Sequence, residues 1–325
     1  MMPIKAIAVV GPTAGGKSAL ALELARRLGG EILSCDSMQV YRGMDIGTAK
    51  PTEEERESCP HHLIDIASPH EPFSAADWAE RAMQVLRDVN GRGRLAVFCG
   101  GTGLYLDAVR TLRHGGETPP ADPALRERLN REAETEEGRE ALWQQLLEID
   151  PDAAAATHKN NTRRVVRALE VYRLTGKTKT ELDRAASKSN PDLDLLVIGL
   201  CYEDRDLLRA RINARVGYML QAGLADEVRR LSASGVFDTN ATAAAAIGYK
   251  ELLPYLAGEC SLDEAAERLA TATAQYAKRQ MTYFRRMQDV HWLTAHEGAR
   301  TLSASELADR AMPLVFKFLT DQQTI

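Results

Sequence analysis

The stretch IKAIAVVGPTAGGKSALALELARRLGG, residues 4–30, decides the fold class. Its first part is an apolar run rich in Val and Ile, which is typical of a buried strand. The glycine-rich segment GPTAGGKS follows, and apolar residues then recur at helical spacing until Gly29 and Gly30 end the pattern. The stretch predicts strand, loop and helix in succession, as in a parallel sheet covered by helices.

The loop matches the pattern G-x-x-x-x-G-K-[ST] at every defined position. In such a loop the glycines let successive N–H groups point inward, and the lysine and the helix N-terminus add positive charge. The hydroxyl of Ser18 is of the kind that ligates Mg²⁺. The pattern predicts that a diphosphate or triphosphate binds at Gly11, Pro12, Thr13, Ala14, Gly15, Gly16, Lys17 and Ser18.

The alternation of strands and helices continues and is then interrupted. Further strands are predicted at EILSCDS, RLAVFCGG, DLDLLVIGLCY and VHWL, whereas only helices are predicted from about residue 113 to residue 190. We therefore expect an α/β protein with a P-loop NTPase-like parallel-sheet core, residues 1–112 and 192–325. An all-helical domain, residues 113–191, is inserted into this core.

Composition sets the broad class. The 325 residues suffice for one large and one smaller domain, and 44% hydrophobic with 27% charged residues are ordinary values for a soluble protein. No apolar run is long enough to span a membrane, and the N-terminus does not resemble a secretory signal. The five cysteines are scattered without a C-x-x-C pair, which favours the cytoplasm and argues against a structural zinc.

The charge distribution is more informative than the net charge of −5. Residues 163–188 contain eight basic side chains and three acidic ones, and AKRQMTYFRR, residues 277–286, combines basic and aromatic side chains. Both segments are compatible with RNA binding or with ordinary solvated helix faces.

The residues that follow the predicted core strands argue weakly against simple nucleotide hydrolysis. A hydrolytic P-loop protein normally ends a second core strand in an aspartate, but LAVFC is followed by GGTG. Asp36 follows EILSC, and the ends of parallel strands meet at one crevice. Its carboxylate is suited to act as a base or to orient an amine, although it is also suited to cap a turn.

A family resemblance rests on motifs in order along nearly the whole chain, from about residue 4 to about residue 293. These motifs resemble those of tRNA dimethylallyltransferases, also called tRNA isopentenyltransferases. In chain order they are GPTAGGKS, DSMQVYRGMDIGTAKP, HHLID, FSAADW, GGTGLY, RALEVYRLTGK, IGYKE and YAKRQMTYFR. The long second motif is far more specific than the phosphate loop. The last thirty or so residues match no motif.

The resemblance implies transfer of a dimethylallyl group from dimethylallyl diphosphate to N6 of the adenosine just 3′ of the tRNA anticodon. Diphosphate then leaves whole, so no hydrolytic aspartate is needed. It also implies a Mg²⁺ cofactor at Ser18, an insertion that binds the anticodon stem-loop and a cytoplasmic enzyme without a membrane partner, which we expect to be monomeric.

Site residues follow from the same resemblance. The implied catalytic residues are Asp36 as acceptor of the N6 proton, Lys17, Thr13 and Arg215 around the diphosphate, and Thr102. The implied tRNA contacts are Asp36, Ser37, Met38, Gln39, Thr102, Arg126, Arg163, Arg164, Val165, Val166, Arg167, Ala245, Ala246, Ile247, Gly248, Tyr249, Lys250, Gln275, Tyr276, Ala277, Lys278, Arg279 and Gln280. Without the family, Arg215 reads as a solvated helix arginine, and Tyr276 and Tyr283 read as core residues.

Two positions depart from the family pattern: Ala245 stands where relatives often carry Gln or Arg, and Ala274 stands where they often carry Arg. Both changes remove groups suited to RNA binding. Three alternatives also stay open: a small-molecule P-loop kinase, a prenyltransferase acting on free AMP or ADP, and an RNA-binding protein without catalysis. The basic insertion argues against the first two, and the combination of Lys17, Ser18, Asp36 and Thr102 argues against the third.

Overall fold

A computed structural model describes residues 3–111, 122–185 and 189–321. In this part of the chain, six strands form one parallel sheet. They are β1 (Ile4–Val10), β2 (Glu31–Ser34), β3 (His61–His62), β4 (Ala96–Cys99), β5 (Leu193–Cys201) and β6 (Val290–Thr294). The spatial order β3-β2-β4-β1-β5-β6 confirms the predicted α/β class.

The remaining elements are short strands and helices. Two residues each form β7 (His296–Glu297) and β8 (Arg300–Thr301), an antiparallel pair. The helices are α1 (Lys17–Leu28), α2 (Glu53–Ser58), α3 (Ala75–Gly91), α4 (Gly103–Arg110), α5 (Pro123–Glu132), α6 (Glu136–Ile149), α7 (Pro151–Ala155), α8 (Thr162–Thr175), α9 (Lys179–Ala185), α10 (Arg205–Gln221), α11 (Leu224–Ala233), α12 (Val236–Thr239), α13 (Ala241–Ala244), α14 (Leu253–Leu256), α15 (Leu262–Phe284) and α16 (Ala304–Thr320).

The centre of the sheet carries the phosphate loop. β1 pairs with β4 on one side and with β5 on the other, and Ile7, Val9, Val97 and Ile198 are buried in the core. The stretch is apolar on both faces because helices cover a parallel sheet on both sides. This continuous burial of residues 6–10 explains why that part of β1 is an unbroken apolar run.

The C-terminal segment without a recognisable motif contributes to this core. Helix α16 begins with a capping box formed by Ser303 and Glu306, and it packs against α1. Ala308, Ala311 and Val315 are buried with the residues of the central strands. The role of this segment is therefore to cover one side of the sheet.

The described residues divide into two compact units. The first comprises residues 1–107 and 191–325, and the second comprises residues 108–190. The sequence placed these divisions at 112/113 and 191/192. The second unit is helical over its described residues and has its own core, formed by side chains that include Leu129, Leu142, Leu146, Val165 and Leu169.

Capping side chains mark the start of some helices in the second unit. Asp122 and Asp150 accept hydrogen bonds from the first turns of α5 and α7, each with proline at the first helical position. Asn161 precedes α8, although its side chain makes no capping hydrogen bond there.

Among the described helices, none combines the length and the hydropathy needed to cross a bilayer.

Candidate functional site

The phosphate loop joins the end of β1 to the start of α1. Gly16 precedes the helix with a φ of 93°, a conformation that favours glycine. Ala14 has a φ of 59°, which is uncommon for a residue with a side chain. The N–H of Gly15 donates to the carbonyl of Pro12 at 3.0 Å, which closes the turn. Strained backbone of this kind is found where a loop must present its N–H groups to a ligand.

The carbonyl groups of the loop are bound by side chains. Arg211 Nε donates to the Ala14 carbonyl at 2.7 Å, and Tyr202 Oη donates to the Gly15 carbonyl at 3.4 Å. Lys17 Nζ donates to the Pro12 carbonyl at 2.8 Å. Because these carbonyls are engaged, the loop offers N–H groups and cationic side chains to an anion.

Lys17 lies in an electrostatic cluster with two predicted catalytic residues. The pKa of Lys17 is lowered from 10.5 to about 8; burial is the main cause, the positive charge of Arg215 acts in the same direction, and Cys99 and Asp36 oppose the shift. Burial also lowers the pKa of Arg215, and the Asp36 carboxylate opposes that shift. The carboxylate of Asp36 and the guanidinium of Arg215 therefore lie within electrostatic reach of the phosphate loop.

Asp36 and Thr102 follow neighbouring strands. Asp36 comes two residues after β2, and its Oδ1 accepts a hydrogen bond from Met38 N at 2.9 Å. Thr102 follows β4, and its N–H donates to the Cys35 carbonyl at 3.1 Å. Thr102 Oγ1 accepts from Ser37 N at 3.0 Å and lies 3.3 Å from Ser37 Oγ. These contacts bring the two strand ends together, as the parallel sheet predicts.

The amide of Gln39 is engaged by protein groups. Its Oε1 accepts from Ser34 Oγ at 2.7 Å, and its Nε2 donates to the carbonyls of Thr48 and Ala49 at 3.2 and 3.1 Å. Gln39 therefore braces the loop on which Asp36 lies, and the contact of Ser37 and Gln39 with tRNA stays a prediction.

A buried carboxylate anchors the rest of that loop. Glu227 of α11 is 1% exposed and accepts hydrogen bonds from the N–H groups of Asp45, Ile46 and Gly47 at 2.8–3.0 Å. It also accepts from Tyr249 Oη at 2.8 Å. Within the predicted RNA segment 245–250, the buried side chains of Ala246 and Tyr249 serve packing, and Gly248 is buried too. Ala245 and Lys250 are exposed, and Ile247 is half-buried.

Helix α15 presents two kinds of side chain. Gln275, Lys278 and Arg279 are exposed, whereas Ala277 and Gln280 are buried. Tyr276, which lies between these faces, is half-buried. The Arg279 guanidinium lies 5.7 Å from the centre of the Tyr276 ring.

Tyr276 belongs to the candidate site and not to the core alone. Its pKa is raised, first by burial and then by the Asp36 carboxylate, and its side chain lies close to those of Thr102 and Gln280. Tyr283, by contrast, packs its ring against Gly103 and donates its hydroxyl proton to Asp107. The alternative of a core tyrosine therefore fits Tyr283 better than Tyr276.

In the helical unit, a buried glutamate organises two of the predicted RNA-binding arginines. Glu170 is 0% exposed, and its Oε2 accepts from Arg126 Nη2 and Arg167 Nη1, both at 2.7 Å. Burial raises the pKa of Glu170, but the hydrogen bonds from the two arginines outweigh it and hold that pKa below its usual value. The Glu170 carboxylate thereby holds the guanidinium groups of Arg126 and Arg167 side by side in the helical unit.

The first turn of α8 separates exposed from buried residues. Arg163 and Arg164 are exposed, whereas Val165 and Val166 are 1% and 2% exposed and pack in the core of the helical unit. The two valine side chains are thus used for packing. The prediction of RNA contact in this segment stays with the arginines.

The predicted Mg²⁺ site has suitable oxygen donors. Ser18 is exposed in the first turn of α1, Thr13 is half-buried in the loop, and the Asp36 carboxylate is nearby. Hydroxyl and carboxylate oxygens are hard donors of the type that Mg²⁺ prefers. Within the described residues, no group of three or more His, Cys, Asp or Glu side chains is arranged to hold a metal ion alone. The Mg²⁺ prediction therefore depends on ligands supplied by the phosphates as well.

Three residues important to this geometry were not identified from the sequence alone in these roles: Arg211, Glu227 and Gln280. A signal exists for two of them. Glu227 lies on the apolar face of α11 with Leu224, Val228 and Leu231, and Gln280 lies on the buried stripe of α15. A polar residue on an apolar stripe needs a buried partner, and the partner here is the backbone of a functional loop.

Comparison with known proteins gives one consistent result. The family model described as IPP transferase matches residues 39–287. The tRNA dimethylallyltransferase of Exiguobacterium sp. is 47% identical over 314 residues, 96% of this chain and 97% of the relative. The same enzyme of Halalkalibacterium halodurans is 48% identical over 291 residues, 90% of this chain and 91% of the relative.

Comparison with solved structures points to the same family as the sequence relatives. The tRNA isopentenylpyrophosphate transferase of Bacillus halodurans aligns with a TM-score of 0.69 and 42% identity, covering 97% of each chain. A eukaryotic dimethylallyltransferase acting on tRNA aligns with a TM-score of 0.81 and 28% identity, covering 98% of this chain and 81% of that one.

Proposed function

Because this chain belongs to the IPP transferase family, we propose that it transfers a dimethylallyl group from dimethylallyl diphosphate to tRNA. The acceptor is N6 of the adenosine just 3′ of the anticodon, and diphosphate is released. The observation that carries the proposal is the convergence of Lys17, Arg215 and Asp36 at the phosphate loop.

The reaction forms one C–N bond and breaks one C–O bond. N6 of adenine supplies the electron pair for the new bond, and the departing diphosphate keeps the pair of the broken bond. The exocyclic amine is a poor nucleophile because its lone pair is delocalised into the ring. Stabilising the negative charge of the leaving group is therefore the main means of lowering the barrier.

Groups for that stabilisation come from helices α1 and α10. Lys17 and Arg215 supply positive charge, and the first N–H groups of α1 have no carbonyl one turn before them. The desolvation that lowers the pKa of both cations also strengthens their attraction to a diphosphate. Mg²⁺, held by the hydroxyls of Ser18 and Thr13 together with the phosphates, would add further Lewis acidity.

Asp36 takes the proton that N6 loses as the C–N bond forms. Its Oδ1 is oriented by the N–H of Met38, and the neighbouring Ser37 and Thr102 are joined by hydrogen bonds. A carboxylate fixed in this way is placed to accept a proton or to hold the amine in line with the allylic carbon.

RNA recognition is distributed over both units. The helical unit offers Arg126, Arg163, Arg164 and Arg167, and helix α15 offers exposed basic residues beside Tyr276. Basic side chains bind loop phosphates, and aromatic rings stack on unpaired bases. Taking the adenine out of its stack costs a few kcal/mol, which these contacts offset.

One experiment separates the proposal from its alternatives. The protein is incubated with Mg²⁺, labelled dimethylallyl diphosphate and unmodified tRNA, and label is sought in the RNA. Transfer should occur to tRNA with adenosine after the anticodon and not to a matched tRNA with guanosine there. Label in AMP or ADP alone, or phosphorylation of an acceptor by ATP, would instead support a nucleotide prenyltransferase or a kinase. Light scattering of the same sample tests the expected monomeric state.

A further inference from the structure

Gln280 joins the two loops that hold the candidate catalytic residues. Its Oε1 accepts a hydrogen bond from Thr13 N at 2.7 Å, and its Nε2 donates to the Gly101 carbonyl at 3.1 Å. The residue is 4% exposed, so both bonds are shielded from water. One buried amide thus fixes the phosphate loop after β1 to the GGTG loop after β4.

The approach of the two loops to this amide is unusually close. A Cβ atom added at Gly101 would lie 1.8 Å from Gln280 Nε2, so only glycine leaves room for the amide as it is placed. The side chain of Tyr276, one helical turn earlier, lies close to those of Thr102 and Gln280. Thr102 follows Gly101 directly and accepts a hydrogen bond from Ser37 N, so the amide is joined to residues near Asp36.

The same helix carries the exposed residues that we assign to RNA. Gln275, Lys278 and Arg279 lie on its solvent side, and Arg279 is close to the ring of Tyr276. RNA that contacts and orders the side chains of Tyr276 and Arg279 therefore binds within one helical turn of Gln280. Since side chains in a hydrogen-bonded network are ordered together, fixing one member reduces the cost of fixing the next.

We propose that Gln280 is a positioning residue that couples RNA binding on α15 to diphosphate binding at the phosphate loop. The inference rests on the function proposed above. RNA on the helix holds the Gln280 amide in place, and this amide holds the backbone of Thr13 in the geometry that receives the diphosphate. By linkage, diphosphate must then strengthen RNA binding by the same factor.

The test measures this factor directly. Isothermal titration gives the Kd of inorganic pyrophosphate with Mg²⁺, with and without a saturating anticodon stem-loop RNA. For the native chain we expect RNA to lower this Kd about tenfold, within the usual range for coupled sites. Gln280→Met, which keeps the length of the side chain but makes neither bond, should reduce the factor to about one, whatever its effect on the RNA Kd measured without pyrophosphate.

A matched control separates positioning from stability. Thr273 is also buried on the stripe of α15, but its hydroxyl donates to the Leu269 carbonyl of the same helix and its described contacts do not reach either loop. Thr273→Val should therefore retain the native factor. If Gln280→Met does not fold, Gly101→Ala provides a second route, because the added methyl group displaces the amide and leaves Gln280 in the chain.

The outcomes distinguish this inference from the proposed function. A folded Gln280→Met or Gly101→Ala variant with the native coupling factor would overturn the inference, and so would a native chain in which the two ligands bind independently. If the native chain transfers no dimethylallyl group to RNA in the preceding assay, it is the proposed function that fails.

Discussion

Raising the pH should weaken diphosphate binding by removing the proton of Lys17. Burial lowers the pKa of this residue from 10.5 to about 8, so half of the free protein carries a neutral amine near that pH. An exposed lysine would still be almost fully charged there. Diphosphate binding needs the charged form, and each pH unit above the pKa leaves about tenfold less of it. The Kd should therefore be constant below about pH 7 and rise about tenfold for each unit above about pH 8.5.

The assay uses an unreactive thio analogue of dimethylallyl diphosphate, whose phosphates are already ionised over this range. Its Kd is measured at constant ionic strength and constant free Mg²⁺ in the native chain and in Lys17→Arg. Because a guanidinium stays charged, the variant should lack the bend near the pKa of Lys17 even if its affinity is lower throughout. Binding raises the pKa of the lysine, so the dependence should flatten again at higher pH.

Two results would refute this reasoning. A Kd that stays constant through about pH 9.5 would show that the amine is not desolvated as the structure indicates. A bend of the same size in Lys17→Arg would assign the titration to another group.

Three further predictions concern the acid and the RNA-binding residues. Asp36→Asn, which preserves an acceptor for Met38 N, should lower the single-turnover rate about 10²- to 10⁴-fold and leave the Kd for tRNA within about twofold; an unchanged rate would exclude a proton acceptor here. Glu170→Gln should destabilise the helical unit by about 1–3 kcal/mol at neutral pH, measured by urea denaturation. Since the pKa of Glu170 is lowered in the fold, its contribution is present above its unfolded pKa and lost on acidification through the folded one, so native and variant stabilities should converge at low pH. Arg163→Ala and Arg164→Ala should each weaken tRNA binding and reduce the slope of log K against log salt by about one, and unchanged slopes would remove these arginines from the interface.

The parts of the fold with a strong local signal could be predicted from the sequence. The phosphate loop has a defined spacing, its strand is apolar on both faces, and the helices that start at Asp122 and Asp150 carry capping acids before proline. The two-residue strands β3, β7 and β8 could not be predicted, because a pair of residues carries no periodicity.

Site residues that act through their own side-chain chemistry could be predicted from the sequence. Residues that bind backbone groups far away in the sequence could not. Lys17 and Asp36 could be identified because a motif or a strand end marks them. Glu227 binds three N–H groups about 180 residues earlier in the chain, and Gln280 binds the phosphate loop from a distance of 267 residues. Such pairings are set by tertiary structure, and the local pattern shows only that a polar group must be satisfied.

The strand order of the sheet also determines how late in synthesis the central strand can gain its second neighbour. β1, which lies at the centre of the sheet, receives its β5 neighbour only after the ribosome has made the whole helical unit, residues 108–190. At about 5–20 residues per second, this interval lasts roughly 4–17 s. During it, one edge of β1 lacks its final partner β5. The insertion therefore delays completion of the sheet that carries the phosphate loop, and the newly made chain is most exposed to aggregation in this interval.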